Sequence, residues 1–254
     1  MKGSLFVNGL TIDWNKVDPD SYLHRITALS GMESLSFEAP VTFFVGENGT
    51  GKSTLLEAIA AAYGLNPEGG SRDFRFSTRE THSSLYKGMV LKKGYRSPRD
   101  NFFLRAESFY NVATQVEEYR DGDRPEIYYR RYGGRSLHEQ SHGESFLALM
   151  QNRFQGQGFY LLDEPEAALS PQRQLTLLIC IHRLVREGSQ FLIASHSPIL
   201  LGLPGAEIWT FDDGQVHPCS YEETDSFQVT EMFINSREHL LKRLLDDDSS
   251  KNGW

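Results

Sequence analysis

The sequence lacks most features that mark secreted, membrane-spanning or heavily basic proteins. It has only two cysteines in 254 residues, which is too few for a disulfide framework and indicates a reducing compartment. No apolar run approaches the roughly 20 residues that a membrane-spanning helix needs, and the first residues do not show the pattern of a signal peptide. We therefore expect a cytoplasmic protein that does not insert into membranes.

Basic residues are also in short supply. Lys and Arg number 26 against 34 Asp and Glu, which gives a formal net charge of −8. A surface that neutralises phosphate over its whole extent is therefore excluded, although a local basic patch is not. The chain has no internal repeat, and with 39% hydrophobic and 24% charged residues it has the composition of a globular protein. Its length fits a single domain over residues 1–254.

The order of the predicted elements favours an α/β fold. Apolar runs typical of buried strands alternate with helical periodicities, and this alternation indicates a mainly parallel sheet with helices on both faces. We predict strands at 4–7, 35–38, 41–45, 158–163 and 190–195, with shorter extended pieces within 85–93 and 101–106. We predict helices at 52–63, 143–154, 170–188, 198–203 and 225–245, a hairpin over 206–217, and a polar tail after residue 245.

The motif GENGTGKST at residues 46–54 is the strongest functional signal. It matches the phosphate-loop pattern of Gly, four residues and Gly-Lys-[Ser/Thr], and it lies between a predicted strand and a predicted helix, as that pattern requires. Its glycines allow backbone N–H groups to surround phosphates, and the helix N-terminus adds positive potential. We expect the whole motif to contact a nucleotide: Gly46, Glu47, Asn48, Gly49, Thr50, Gly51, Lys52, Ser53 and Thr54.

Individual roles within this motif follow from its chemistry. We expect Lys52 to bridge the β- and γ-phosphates, the Ser53 hydroxyl to ligate Mg²⁺, and Thr54 to reach the α-phosphate. A second motif, FYLLDEPEAALS at 159–170, places Asp163 at the end of a buried strand, where it can hold Mg²⁺, and Glu164 where it can polarise water. Alone, this acidic pair could simply cap the next helix. Together with the phosphate loop it indicates a nucleotide and Mg²⁺ site.

Two looser motifs complete the set. SHGES at 141–145 places Ser141 and Gly143 at a helix start, which can bind an anion, although Ser141 with Glu144 is also an ordinary capping box. LIASHSP at 192–198 puts His196 just past an apolar strand, where ligands of parallel sheets bind, although a histidine there can equally be structural.

The four motifs in this order resemble the ABC-type ATPase family, over about residues 37–213. Within the family the chain looks most like the small stand-alone predicted bacterial ATPases of the SMC-like and recombination-repair branch. The resemblance implies an ABC-type nucleotide-binding domain with the P-loop NTPase fold, a small variable lobe at about 71–140, and ATP and Mg²⁺ as cofactors. Only 87 positions separate Thr54 from Ser141, and without sustained heptads they cannot form an SMC arm.

The resemblance also implies a mechanism that needs two copies of the chain. In the family, two subunits face head to tail, and ATP lies between one phosphate loop and the other subunit's signature, here Ser141 and Gly143. Catalysis would come from Glu164, which orients water, from His196, which contacts the γ-phosphate, and from Lys52. ATP would then hold the homodimer closed, and hydrolysis would loosen it.

Three departures from the family pattern affect these expectations. His142 stands where the signature usually has Gly, and Ser170 stands where the loop after the glutamate usually ends in Asp. The usual Gln that ligates Mg²⁺ is missing, and we favour Glu107 in that role, with Gln115 as the alternative. Tyr22 is a candidate for stacking on adenine, but a tyrosine in a half-buried strand can equally be packing.

The segment Ser71–Arg105, called the basic segment below, contrasts with the acidic remainder, because it has nine basic and three acidic residues. It is either a surface for nucleic acid or an acidic partner, or a solvated lobe that balances the rest of the chain. We predict a stand-alone Mg²⁺-dependent ATPase that acts as an ATP-driven dimer switch on an unknown partner protein. The alternatives are the nucleotide-binding subunit of a membrane transporter, a low-turnover nucleotide sensor, and a DNA-associated ATPase.

Overall fold

The computed structural model of the protein describes residues 5–67, 69–70, 83–107, 109, 113–114, 129 and 134–249. The strands found in these residues are β1 Val7–Ile12, β2 Ser34–Ser36, β3 Val41–Val45, β4 Met89–Lys93, β5 Asp100–Arg105, β6 Gly158–Asp163, β7 Gln190–Ala194, β8 Glu207–Thr210 and β9 His217–Cys219. The helices are α1 Thr27–Ser30, α2 Lys52–Tyr63, α3 His142–Asn152, α4 Pro171–Arg186, α5 Pro198–Leu201 and α6 Asp225–Ser249.

The larger of two sheets has the strand order β5-β6-β7-β3-β8-β9. Its first five strands pair in parallel, and β9 pairs antiparallel to β8. The predicted hairpin is therefore present, but it ends at Cys219 rather than at residue 217. All residues of β3, β6 and β7 are buried, as their continuous apolar runs indicate for strands covered on both faces. The predicted mainly parallel sheet is confirmed, and its strands bring their carboxyl ends to one edge.

Helices cover both faces of this sheet, as predicted. On one face the apolar sides of α3, α4 and α5 pack against buried residues such as Phe43, Tyr160 and Phe191. On the other face α2 packs against Phe44 and Leu161, together with the smaller antiparallel sheet of order β2-β1-β4. The fold is therefore the α/β arrangement expected of a P-loop NTPase, with α2 leading directly from the end of β3.

Two strand predictions near the N-terminus were wrong in their bounds. A strand at 4–7 was expected, and Ser4 lies outside the described residues. Leu5 and Phe6 do not belong to β1, which begins at Val7, because the N–H groups of Phe6 and Val7 donate to Oε1 of Gln190 at 2.9 and 3.0 Å. A strand at 35–38 was expected, but β2 ends at Ser36. The N–H of Glu38 donates instead to the Glu207 carboxylate at 3.2 Å.

The C-terminal helix differs from the prediction. It was expected to end at residue 245 before a polar tail, but α6 continues to Ser249, with non-helical dihedral angles at Ser236. Acidic residues disfavour the end of a helix without breaking it. Among the described residues, no helix combines the length and apolar character that crossing a membrane requires.

Part of the predicted variable lobe lies outside the described residues. Residues 71–82, which open the basic segment, and most of 108–133 lie outside the described residues. The alternative magnesium ligand Gln115 is among them.

Candidate functional site

The glycine-rich loop between β3 and α2 curves around a lysine. The ammonium of Lys52, the first residue of α2, donates to the carbonyl oxygens of Gly46 at 2.6 Å and Glu47 at 2.7 Å. Gly51, just before the helix, has φ of 103°, and a Cβ there would lie 2.7 Å from Cδ1 of Leu29. Only glycine fits this position. The turn at Gly51 lets the side chain of Lys52 fold back towards the loop residues Gly46 and Glu47.

The charge of Lys52 is buried among carboxylates. The side chain is almost inaccessible, and this burial lowers its pKa. Four negative charges oppose the shift, and in order of effect they belong to Glu164, Asp212, Asp163 and Glu166. A desolvated ammonium that now donates only to neutral carbonyls would make stronger, charge-assisted hydrogen bonds to phosphate oxygens.

Two of the predicted magnesium ligands, Ser53 and Asp163, are in contact. Oγ of Ser53, in the first turn of α2, donates to Oδ1 of Asp163 at 2.8 Å. Asp163 ends β6 as predicted and is buried, which raises the pKa of its carboxyl to about 6, although the Arg105 charge and the Ser53 hydrogen bond oppose this rise. The parallel sheet therefore brings together a hydroxyl and a carboxylate that are 110 positions apart.

Glu164, the residue after β6, has a strained backbone. Its φ of 49° and ψ of 50° lie in the left-handed region, which costs a residue with a side chain about 1 kcal/mol or more. Its N–H donates to the carbonyl of Ala194 at 3.0 Å, which fixes this conformation against β7. The side chain is 38% exposed, and its Oε1 lies 3.9 Å from Nε2 of His196. Strain of this kind is typical of functional positions.

His196 follows β7 and is held by a residue that the motif analysis did not assign. Its N–H donates to Oε1 of Glu166 at 2.5 Å, and the same carboxylate accepts from Oγ of Ser195 at 3.0 Å. Burial, and then the charge of Lys52, lower the pKa of His196, so its ring is neutral at pH 7. Its Nε2 is buried without a hydrogen-bond partner among the described residues.

The signature residues lie on another element, at the start of α3. The N–H of Ser141 donates to Oε2 of Glu144 at 3.1 Å, as in a capping box. Arg173 reaches Oγ of Ser141 at 3.4 Å and Oε1 of Glu144 at 3.1 Å. A Cβ on Gly143 would lie 2.6 Å from the carbonyl oxygen of Ala168. The capping interpretation therefore describes the local structure of Ser141.

Two of the three departures from the family pattern concern His142 and the proposed magnesium ligand Glu107. His142 packs edge-on against Phe109, with ring centroids 5.3 Å apart. Glu107 lies two residues beyond β5 and is 82% exposed, with Oε2 3.5 Å from Nη2 of Arg105. The predicted magnesium role of Glu107 stays a prediction.

Tyr22 does not lie in a half-buried strand. It begins a 3₁₀ turn at Tyr22–Arg25 and is 54% exposed. It lines a cavity of about 640 Å³ whose other lining residues include Asn48 and Gly49 of the phosphate loop, and Asp212. Tyr22 is therefore accessible to a ligand of the loop, and its adenine role stays a prediction.

Two further charged residues at this edge of the sheet, Asp212 and Arg105, belong to none of the four motifs. Asp212, after β8, accepts from the N–H of Glu47 at 2.9 Å. Arg105, which ends β5, lies 3.3 Å from Asp163 and 3.3 Å from Glu57 of α2. The only signal in the sequence was a charged residue at the end of an extended run, which is weak until the strand order is known.

Two family models match the chain. One, described as "AAA domain", matches residues 23–140 and contains the phosphate loop. The other, described as "AAA domain, putative AbiEii toxin, Type IV TA system", matches residues 87–202 and contains Asp163, Glu164 and His196. The chain carries a P-loop ATPase domain of the AAA/ABC type. Together the two matches include every motif of this ATPase domain that the sequence analysis singled out.

The ATPase domain is also similar to known proteins. The ribose import ATP-binding protein RbsA 2 of Escherichia coli O157:H7 is 28% identical over 189 residues, and the match covers 68% of the chain but only 36% of that protein. The SMC head domain from Thermotoga maritima is 15% identical with a TM-score of 0.46, and the match covers 85% of this chain and 99% of that one. CbiO1 from Clostridium perfringens, part of the ABC transporter complex CbiONQ, is 15% identical with a TM-score of 0.47. That match covers 93% of this chain and 99% of CbiO1.

Proposed function

We propose that this ATPase domain binds ATP with Mg²⁺, hydrolyses it, and acts in the cytoplasm as an ATP-closed homodimer switch on a partner protein. The observation that carries the proposal is the 2.8 Å contact between Ser53 and Asp163, next to the buried Lys52. This contact unites a phosphate loop with a strand-end carboxylate, the pair that P-loop enzymes use for a metal–triphosphate. The free state of Cys180 and Cys219 supports the cytoplasmic location.

The donor atoms suit Mg²⁺. A hydroxyl and a carboxylate are hard oxygen ligands of the kind this ion prefers, and the buried carboxylate of Asp163 requires positive charge nearby to stay ionised at low cost. Ser53 and Asp163 would hold the ion. We propose Glu107 as a further ligand, because its negative charge is near enough to raise the pKa of Asp163. When bound, Mg²⁺ supplies positive charge to the β- and γ-phosphate oxygens.

Three side chains of the chain would act on the γ-phosphate and the attacking water. Lys52 would exchange its carbonyl partners for β- and γ-phosphate oxygens. Glu164, with its side chain half exposed, would orient water and accept its proton. The neutral His196 ring, 3.9 Å from Glu164, would present its unpartnered Nε2 to the γ-phosphate. Catalysis would then consist of positioning and charge stabilisation.

A second copy of the chain would complete the site. Ser141 and Gly143 stand at the N-terminus of α3, where the helix dipole is positive, and Arg173 adds a full positive charge 3.4 Å from Oγ of Ser141. Because Ser141 is exposed, the γ-phosphate of ATP bound to the partner copy could reach it. We propose this contact as the reason why ATP would hold the dimer closed.

Two substitutions test the proposed function. Lys52→Ala should reduce binding of a fluorescent ATP analogue at least about tenfold, because it removes a charge-assisted phosphate contact. Glu164→Gln should keep binding, lower phosphate release by about 100-fold or more, and elute with ATP at the mass of a dimer. Phosphate release by Glu164→Gln at the parent rate would remove the proposed role of Glu164.

A transporter subunit is a second candidate, favoured by the similarity to the ribose import ATP-binding protein over 68% of the chain. A low-turnover nucleotide sensor is a third. Steady phosphate release by the isolated chain would favour the stand-alone ATPase, whereas ATP binding with almost no release would favour the sensor. Release that starts only when the chain is reconstituted with a membrane partner would favour the transporter subunit.

We also propose that the basic segment contacts nucleic acid. Its described part, residues 83–105, contains six basic residues and one acidic residue, and the Tyr95 side chain is 85% exposed, which leaves it free to stack on a base. Replacing Lys92, Lys93, Arg96 and Arg99 by Gln should abolish salt-sensitive binding of labelled single-stranded DNA in anisotropy measurements. A control variant replaces four exposed basic residues of α4 and α6 by Gln and should bind like the parent. These residues are Arg183, Arg186, Lys242 and Arg243. Absence of binding in the parent would remove the DNA-associated function.

A further inference from the structure

Arg105, the last residue of β5, is surrounded by carboxylates. Its Nε lies 3.3 Å from Oδ2 of Asp163, its Nη1 lies 3.3 Å from Oε2 of Glu57, and its Nη2 lies 3.5 Å from Oε2 of Glu107. The side chains of Arg105, Glu57 and Asp163 are only 19%, 15% and 7% exposed. These ion pairs are therefore screened much less than surface pairs are.

The contact between Arg105 and Asp163 is an ion pair without a formed hydrogen bond. The buried Nε of Arg105 has no hydrogen-bond partner among the described residues, so the attraction rests on charge alone. The opposite end of β5 offers a contrast, because Arg153 donates to Oδ2 of Asp100 at 2.8 Å and is also 19% exposed. The pair at the metal-ligand end is thus the more easily separated of the two.

Both carboxylate oxygens of Asp163 have partners within the chain. Oδ1 accepts from Ser53 at 2.8 Å, and Oδ2 faces Arg105. A guanidinium and a divalent cation that neutralise the same buried carboxylate repel each other at short range. Binding of the cation at Asp163 must therefore overcome the charge of Arg105.

We propose that Arg105 is the counter-cation of Asp163 in the metal-free protein, and that it sets the Mg²⁺ concentration at which nucleotide binds. Glu57 weakens this competition because it attracts the same guanidinium from the side of α2. The inference rests on the proposed function, since it takes Asp163 as a metal ligand. Arg105 is thereby a positioning residue that acts through Asp163.

Glu57, which contacts Arg105, also contacts the described part of the basic segment. Oε1 of Glu57 accepts from the N–H of Ser83 at 2.8 Å while Oε2 faces Arg105. Ser83 is the first described residue after 71–82. A chain of direct contacts therefore joins the metal-ligand pair to the start of the described basic segment, through Asp163, Arg105, Glu57 and Ser83.

The test measures the Mg²⁺ concentration that gives half-maximal binding of a fluorescent ATP analogue. Arg105→Gln should lower this concentration by about tenfold, because the competing charge is lost. Glu57→Gln should raise it by about threefold, because the guanidinium is then left to Asp163. Arg105→Lys keeps the charge and should lie near the parent value. Arg153→Gln removes a matched arginine from the other end of β5 and should leave the value unchanged.

A merely structural role would change only stability, so the thermal midpoint of each variant is measured in EDTA. Lower midpoints for Arg105→Gln and Arg153→Gln with the same Mg²⁺ dependence would overturn the inference, as would a raised Mg²⁺ requirement in Arg105→Gln. If Arg105→Gln does not fold, a Mg²⁺ requirement in Glu57→Gln at or below the parent value overturns it. Failure of the parent to bind the analogue at any Mg²⁺ concentration would instead overturn the proposed function.

Discussion

At the scale of single residues, the buried negative charge of Asp163 lowers the stability of the folded protein. Burial raises the pKa of Asp163 from 3.8 to about 6, so its ionised form is disfavoured in the folded state relative to the unfolded one. Asp163→Asn removes the charge and keeps an acceptor for the Ser53 hydroxyl. We expect the free energy of unfolding to rise by up to about 3 kcal/mol at pH 7.5 without Mg²⁺, while Mg²⁺-dependent nucleotide binding is lost.

The sign of the pH dependence follows from the direction of that shift. Because the folded-state pKa of Asp163 lies above the unfolded value of 3.8, the ionised carboxyl costs stability at pH 6 and above, and the cost fades as the pH falls towards 4. Urea unfolding at several pH values should therefore show Asp163→Asn above the parent at pH 7.5 and level with it near pH 4. A constant difference over this range would mean that the effect does not come from the charge.

At the scale of elements, one side chain joins the two sheets. Gln190, the first residue of β7, accepts from the N–H groups of Phe6 and Val7 through Oε1 and donates through Nε2 to the Val7 carbonyl at 2.8 Å. Gln190→Leu leaves these buried backbone groups unpaired and should lower the free energy of unfolding by about 2–4 kcal/mol. Urea unfolding measures this loss, and the control Gln228→Leu, on the exposed face of α6, should stay within about 0.5 kcal/mol of the parent.

The same contact shows where prediction from sequence ends. The strand β3, the helix α2 and the strand β6 were predicted at their observed bounds, because the apolar runs and the glycines that define them are local in the chain. The start of β1 was missed because it depends on Gln190, which lies 183 positions away from Val7. Local patterns determine such elements, whereas side-chain bridges between them depend on the sheet order.

The residues of the candidate site likewise fall into two groups, those that a local motif predicts and those that depend on the strand order. Lys52 and Ser53 lie within one contiguous motif, and their placement beside Asp163 follows from a parallel sheet whose strand ends meet at one edge. Arg105 and Asp212 belong to no motif, and they reach the site only because β5 is next to β6 and β8 is next to β3. A charged residue at the end of a strand therefore becomes a candidate once its neighbour strands are known.

At the scale of the whole molecule, a head-to-tail dimer requires that each active site draw on two copies. We therefore pair Lys52→Ala, which disables the phosphate loop, with Ser141→Asp, which disables the signature of the facing copy. Aspartate is also a good N-cap, so α3 should keep its start, while the added negative charge repels the γ-phosphate of the partner's ATP. Each variant alone should release almost no phosphate.

An equal mixture of the two variants distinguishes a composite site from an independent one. About half of the dimers would then pair unlike copies, and one of their two sites would combine an intact phosphate loop with an intact signature, so about a quarter of the parent phosphate release should return. Ser141→Thr, which keeps both the cap and the hydroxyl, should remain near the parent and serves as the control. Rates in the mixture that equal the sum of the separate variants would mean that Ser141 does not act on a second copy.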